Sequence, residues 1–173
     1  MCSAFVFIWF SILLQSATTP NPPGVPDNIK PAGDVKLVLK AHASGDQIYI
    51  CQATTSGDAP FAWTLSGPEA KLFDEKGKEI AKHFAGPTWQ FNDGSEVTGS
   101  PVAQYSPDPN SIPWLLLTIV DHGGDGVVSN VTSIQRLNTK GGKAPATGCD
   151  SHHEGERTRA SYSAEYYFYA PSH

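Results

Sequence analysis

Three observations predict an all-β fold. Apolar and polar residues alternate with period two in segment after segment, Gly, Pro, Asn and Asp punctuate the chain at short intervals, and no window of a dozen residues carries a 3.6 period. The expected architecture is an antiparallel sandwich or barrel of about ten short strands with long Pro/Gly-rich loops.

The chain opens on an uncharged, mostly apolar segment that runs to Leu14, followed by the small and polar residues Ser16-Ala17-Thr18-Thr19. That is the layout of a secretory signal peptide over residues 1–17; an uncleaved anchor or a mispredicted start is the alternative. The apolar run is shorter than the roughly 20 residues a spanning helix needs. Cleavage removes Cys2 and leaves Cys51 and Cys149, the number needed for one disulfide in an oxidising compartment. Two separate buried thiols are the other reading. The expectation is therefore a secreted protein whose body, residues 35–170, is a single β domain. Residues 18–34 precede it as a proline-rich, extended lead-in that cannot enter a helix or a central strand.

Within the body, Val35, Leu37, Leu39 and Ala41 alternate with Lys36, Lys40 and His42, as in a half-buried strand. Ser44-Gly45-Asp46 reads as a turn into a second strand over residues 47–52. Phe61, Trp63 and Leu65 alternate after a Ser-Gly-Asp loop. Residues 71–73 and 79–81 flank a polar, glycine-bearing hairpin turn. Trp89 and Phe91 lead into the Asn92-Asp93-Gly94-Ser95 turn, and Glu96-Val97-Thr98 follows it. Residues 106–113 hold three prolines and form a loop. Residues 114–120, WLLLTIV, read as a strand covered on both faces. A glycine-rich turn follows, then residues 131–137, whose β-branched content favours strand over a short helix. Residues 140–156 are a second long loop. In the closing strand Tyr162, Ala164, Tyr166 and Phe168 alternate with Ser163, Glu165, Tyr167 and Tyr169.

Charge narrows the partners. The net charge is −5 with 17% charged residues, and no Lys/Arg cluster tracks a run of phosphates, which argues against nucleic acid. No basic amphipathic helix is present to hold the mature chain on a membrane. Asn130-Val131-Thr132 is an N-glycosylation acceptor in a chain that passes through an ER.

Several segments carry a family resemblance. They include Lys36-Leu37-Val38-Leu39, Ala41-His42-Ala43-Ser44-Gly45, Lys82-His83-Phe84-Ala85-Gly86-Pro87-Thr88-Trp89 with Asp93-Gly94-Ser95, Ile112-Pro113-Trp114, Gly141-Gly142-Lys143-Ala144-Pro145 and Gly148-Cys149-Asp150. Through them most of the mature chain resembles a family of small secreted proteins known only as a domain of unknown function, found in bacteria, fungi and plants. The resemblance implies no catalytic residues. Some fungal members are labelled malate dehydrogenase, a label this sequence does not support. A dinucleotide site needs Gly-x-Gly-x-x-Gly between a strand and a helix, and Gly123-Gly124-Asp125-Gly126 has neither that spacing nor a following helix.

The candidate chemistry is sparse. His42, His83 and His122, with Asp93, Asp121 and Asp125, are metal-capable residues without metal-ligand spacing, and His152-His153-Glu154 is a polar loop cluster, so no metal or other cofactor is expected. No Gly-x-Ser-x-Gly elbow supplies a nucleophile. His83, beside small residues and just before the Gly86-Pro87 bend, is either a binding contact, a general base or a cap on a backbone carbonyl. The expected site gathers His83, Trp89 and Asp93, with Gln135 and Arg136 from a neighbouring strand. The tryptophans are expected in the core, and Tyr167 and Tyr169 are the aromatics expected to be exposed. The reading is a non-catalytic extracellular or cell-wall binding protein whose ligand is a glycan or small molecule. Its alternative is a secreted hydrolase or metal-dependent enzyme that uses His83 with an Asp.

Overall fold

Eight antiparallel strands pair in sequence order, and the last pairs with the first to close a barrel. The computed structural model describes Pro22, residues 24–55 and residues 59–173. The expected signal peptide, Cys2 and the Ser-Gly-Asp loop at 56–58 lie outside these residues. The strands are β1 (Val35–Ala53), β2 (Phe61–Phe73), β3 (Glu79–Phe84), β4 (Thr88–Phe91), β5 (Glu96–Tyr105), β6 (Trp114–Gly123), β7 (Ser133–Gly141) and β8 (Arg157–Pro171). Closure gives each strand a paired neighbour on both sides, although β2 and β5 extend past the short β3 and β4 that lie between them.

Eight strands replace the expected ten because two predicted breaks do not exist. Ser44-Gly45-Asp46 is not a turn: β1 runs straight through it, with Gly45 opposite Ala70 of β2 and Tyr162 of β8. Glycine is needed there for a close approach. A Cβ at position 45 would stand 2.6 Å from the Ala70 Cβ and overlap the Glu69 carbonyl. Likewise β2 joins the predicted segments 61–65 and 71–73, carrying Pro68 just beyond a bulge at Ser66. Pro101 sits beside a similar irregularity in β5. Prolines are tolerated at such interruptions of a ladder, and bulges are common at barrel rims.

The interior is filled by large side chains from β4 and β8 set against small ones from β1, β2 and β3. Trp89, Phe91, Tyr162, Tyr166 and Phe168 pack on Ala41, Ala43, Ala70 and Ala81. Gly99 makes room for the indole, since a Cβ there would lie 3.2 Å from Trp89 Cζ3. The β6–β7 connection closes one end of the barrel with Val128 and Val131, both fully buried.

A second apolar cluster lies outside the barrel. The lead-in is not merely extended: it makes a 3-10 turn at Asp27–Ile29 and lays Val25 and Ile29 over Leu137, Tyr167 and Tyr169. Trp114 and Leu116 pack against the same cluster. This corrects the expectation that Tyr167 and Tyr169 are exposed; their relative exposures are 8% and 0%. It also explains the apolar run of β6. Leu115 and Leu117 serve the barrel core, while Trp114 and Leu116 serve the outer cluster. Cys51 and Cys149 form the expected disulfide, with Cα atoms 5.3 Å apart.

Candidate functional site

The short β3–β4 hairpin creates the site. β3 has 6 residues and β4 has 4, whereas the flanking β2 and β5 have 13 and 10. The barrel wall is therefore low at the β3–β4 turn, where the Gly86-Pro87 peptide is cis. A cavity of about 290 Å³ opens there, bordered by Leu65, Ser66, Gly67 and Pro68 of β2, by Gly86 and Pro87, and by Pro101. Its depths are lined by Gln47, His83, Trp89, Leu115, Leu117, Arg136 and Tyr166. Eight strands enclose a space suited to side chains plus one small ligand, and this volume stands at the lower end of small-molecule sites.

His83 is 2% exposed and lies flat on Trp89, with ring centroids 4.3 Å apart and planes 8° from parallel. Tyr166 meets both rings edge-on. His83 Nδ1 is 2.8 Å from the Thr88 carbonyl. A carbonyl only accepts, so Nδ1 carries the proton and Nε2 keeps its lone pair. Burial lowers the imidazole to about 3, helped by the Arg136 charge and opposed by the Thr88 bond. The ring is neutral at physiological pH.

Arg136 projects into the same space from β7. Its Nε and Nη2 donate to the Pro113 carbonyl at 3.2 and 2.9 Å. No carboxylate among the described residues forms an ion pair with it, and no Asp or Glu lines the cavity. Several buried polar atoms have no partner: Gln47 Nε2, Trp89 Nε1 and Tyr166 Oη of residues that line the cavity, and Tyr162 Oη, each closed to solvent. Burial pushes the Tyr166 hydroxyl up, and the Arg136 charge pulls the other way. Tyr162 and Arg136 both act on that hydroxyl electrostatically, yet neither completes a hydrogen bond by geometry. A buried unpaired donor typically costs about 1–3 kcal/mol, so a group of them on residues lining one cavity calls for an explanation.

Of the five residues singled out in the sequence, the structure brings together His83, Trp89 and Arg136. Asp93 is at the opposite end of the barrel, in the β4–β5 turn. Its carboxylate accepts from Ser95 N and Oγ at 3.0 and 2.7 Å and from Val127 N at 2.7 Å. These bonds lower its pKa and tie down the plug that carries Val128. Asp93 meets neither His83 nor Arg136. Gln135 faces outward beneath the lead-in, where Nε2 donates to the Ile29 carbonyl at 2.6 Å and Oε1 accepts from Tyr169 Oη at 2.8 Å. Asn130 is exposed on the β6–β7 connection. His42 pairs with Glu165, and His122 with the Val131 carbonyl. Among the described residues no three His, Cys, Asp or Glu side chains gather in a way that could hold a metal. Sequence reasoning missed Gln47 and Tyr166. Tyr166 was legible as an inward position, but nothing local marked its hydroxyl, or the Gln47 amide, as unpartnered.

The fold and the cavity define a closed eight-stranded barrel with a polar-tipped, aromatic-walled chamber at one end. The chain belongs to the family described as "Protein of unknown function (DUF3455)", whose model matches residues 31–170. No curated protein and no solved structure matches the chain. Among the described residues no helix is long and apolar enough to cross a membrane.

Proposed function

We propose that this protein is a secreted, non-catalytic binding protein that takes one small, largely apolar molecule into the end of its barrel. The observation that carries the reading is Arg136, a cation lining an otherwise mostly apolar cavity with no carboxylate partner among the described residues. A cavity that only filled space would be lined by carbon. Here the lining includes the Arg136 guanidinium, and three further lining residues, Trp89, Gln47 and Tyr166, carry polar atoms that the protein leaves unpaired. The small volume, about 290 Å³, favours a compact molecule over a glycan chain. Secretion is supported by the disulfide, which persists in oxidising compartments, and would bring Asn130 to the glycosylation machinery. The catalytic alternative gains little from the geometry: His83 Nε2 keeps a lone pair, but burial makes the ring a weak base, and among the described residues no nucleophile or carboxylate is bonded to it.

The test is a panel of small aromatic, aliphatic and sugar compounds screened by nitrogen–proton correlation spectra of the mature protein. The Trp89 indole N–H signal, assigned with Trp89→Phe, reports directly from the cavity wall. Binding shifts that signal and raises Tm, with the compound recovered unchanged. A panel that leaves the Trp89 signal in place sinks the proposal, and consumption of a bound compound replaces it with the enzymatic reading.

A further inference from the structure

We infer that the cavity selects a small planar ligand bearing an anionic acceptor group, a carboxylate in the simplest case, with Arg136 as its counter-charge. The inference rests on the binding reading above and adds the chemical class of the ligand. Arg136 and the Trp89 indole are donors only; Arg136 spends two of its N–H groups on the Pro113 carbonyl and pairs with no carboxylate among the described residues, and the indole N–H is unpaired. Gln47 and Tyr166 leave an amide nitrogen and a hydroxyl unpaired.

Charge points the same way. Only half of the Arg136 fork is used, on a neutral carbonyl, so the guanidinium keeps its full charge and has donors to spare. Its field reaches Tyr49, Tyr162, Tyr166 and His83, in each case favouring the deprotonated form. The acceptors that the lining residues carry, among them His83 Nε2 on a ring that burial keeps neutral, bring no net negative charge. A half-buried cation without a carboxylate partner is costly unless a ligand neutralises it. The stacked His83 and Trp89 rings, with Tyr166 edge-on, form a flat wall suited to a planar body. A single bidentate contact from Arg136 to a carboxylate then fixes the orientation.

Three probes of one shape test the inference on the unmodified protein: 2-naphthoate, 2-naphthamide and 2-naphthylmethylamine, titrated by calorimetry with the Trp89 indole signal as the site marker. The carboxylate is expected to bind at least tenfold tighter than the amide, and the amine not at all. Leu65→Glu puts a negative charge on the exposed rim and should weaken naphthoate severalfold more than it weakens the amide. Arg136→Gln should erase the difference between carboxylate and amide. If that variant fails to fold, the wild-type preference and the rim variant still decide the matter. Equal binding of acid and amide, or tighter binding of the amine, overturns the anionic inference and leaves the binding reading intact. If no naphthyl probe binds but a neutral member of the wider panel shifts the Trp89 signal, the inference falls alone. If nothing shifts that signal, both fall.

Discussion

His83 carries a pH dependence that follows from its burial. Its ordinary value of 6.5 applies to the unfolded chain, and burial brings the folded value to about 3. Between those values the unfolded chain binds the proton and the folded one does not. The stabilising contribution is therefore complete above pH 6.5 and is lost as pH falls from 6.5 toward 3. The slope from this one group approaches about 1.4 kcal/mol per pH unit inside the window. Arg136 acts in the same direction and the Thr88 carbonyl opposes it, so the bond to Thr88 narrows the window without removing it. His83→Phe keeps a flat ring on Trp89 and removes the titration. Urea unfolding from pH 6 to pH 4 should show the wild type losing about 2–3 kcal/mol more than this variant, beyond any pH-independent offset. Parallel curves would show that the imidazole is not excluded from water in the folded protein. At the same scale, the sequence marked His83, Trp89 and Arg136 by their types and neighbours. It had no means of marking Gln47, whose amide matters only because long-range pairing leaves it without a partner.

The lead-in behaves as part of the fold and not as a linker. Ile29 is fully buried, and Gln135 satisfies its carbonyl from beneath while accepting from Tyr169, so an apolar contact and a polar network lock the same turn. Asn28 Nδ2 adds a bond to the Gln104 carbonyl at 3.1 Å. Ile29→Ala removes a fully packed side chain and should cost about 2–4 kcal/mol in urea unfolding. Because this cluster lies on the outer face, ligand affinity at the barrel end should stay within twofold of wild type. A loss below about 1 kcal/mol, ordinary for a surface change, would mean that the lead-in is only loosely applied. The elements show what was legible and why. The period-two phase of β8 was right, because alternation is a local property. Hairpin turns at 74–78 and 92–95 were right because Asp and Gly set them locally; Asp74, for example, accepts from the backbone of Lys76 and Lys78. Gly45 misled because glycine serves both turns and close strand approach, and only the Ala70 neighbour, 25 positions away, tells the two apart. Tyr167 and Tyr169 misled for a related reason: a polar-edged outer face is normally solvated, and nothing local says that residues 25–29 will return to cover it.

At the scale of the molecule, closure decides what the strands are for. The all-β class and one disulfide follow from alternation and cysteine count, whereas the cavity is a consequence of unequal strand lengths around a ring, which no single segment contains. The disulfide joins the two levels. It ties the long β7–β8 connection to the end of β1, on the same side of the barrel as the cavity, and Trp63 Nε1 pins that connection again through the Thr147 carbonyl at 2.9 Å. Cys51 and Cys149 are 98 positions apart, so the bridge restricts most of the unfolded domain. The chain-entropy ceiling for such a loop is about 4–5 kcal/mol. A domain of about 150 residues buries roughly 70% of its unfolded surface and holds its core without cross-links. The barrel should therefore survive without the bridge. The Cys51→Ala, Cys149→Ala double variant is expected to retain the far-ultraviolet circular dichroism of the wild type while losing about 3–5 kcal/mol in urea unfolding. Limited proteolysis should cut first within residues 142–156, where the covalent tether is gone and hydrogen bonds such as that from Trp63 Nε1 to the Thr147 carbonyl are left to hold the segment. Outright unfolding would show that the barrel core is not self-sufficient. A loss under about 1 kcal/mol would show that the unfolded chain already holds the two ends together, leaving the bridge little entropy to remove.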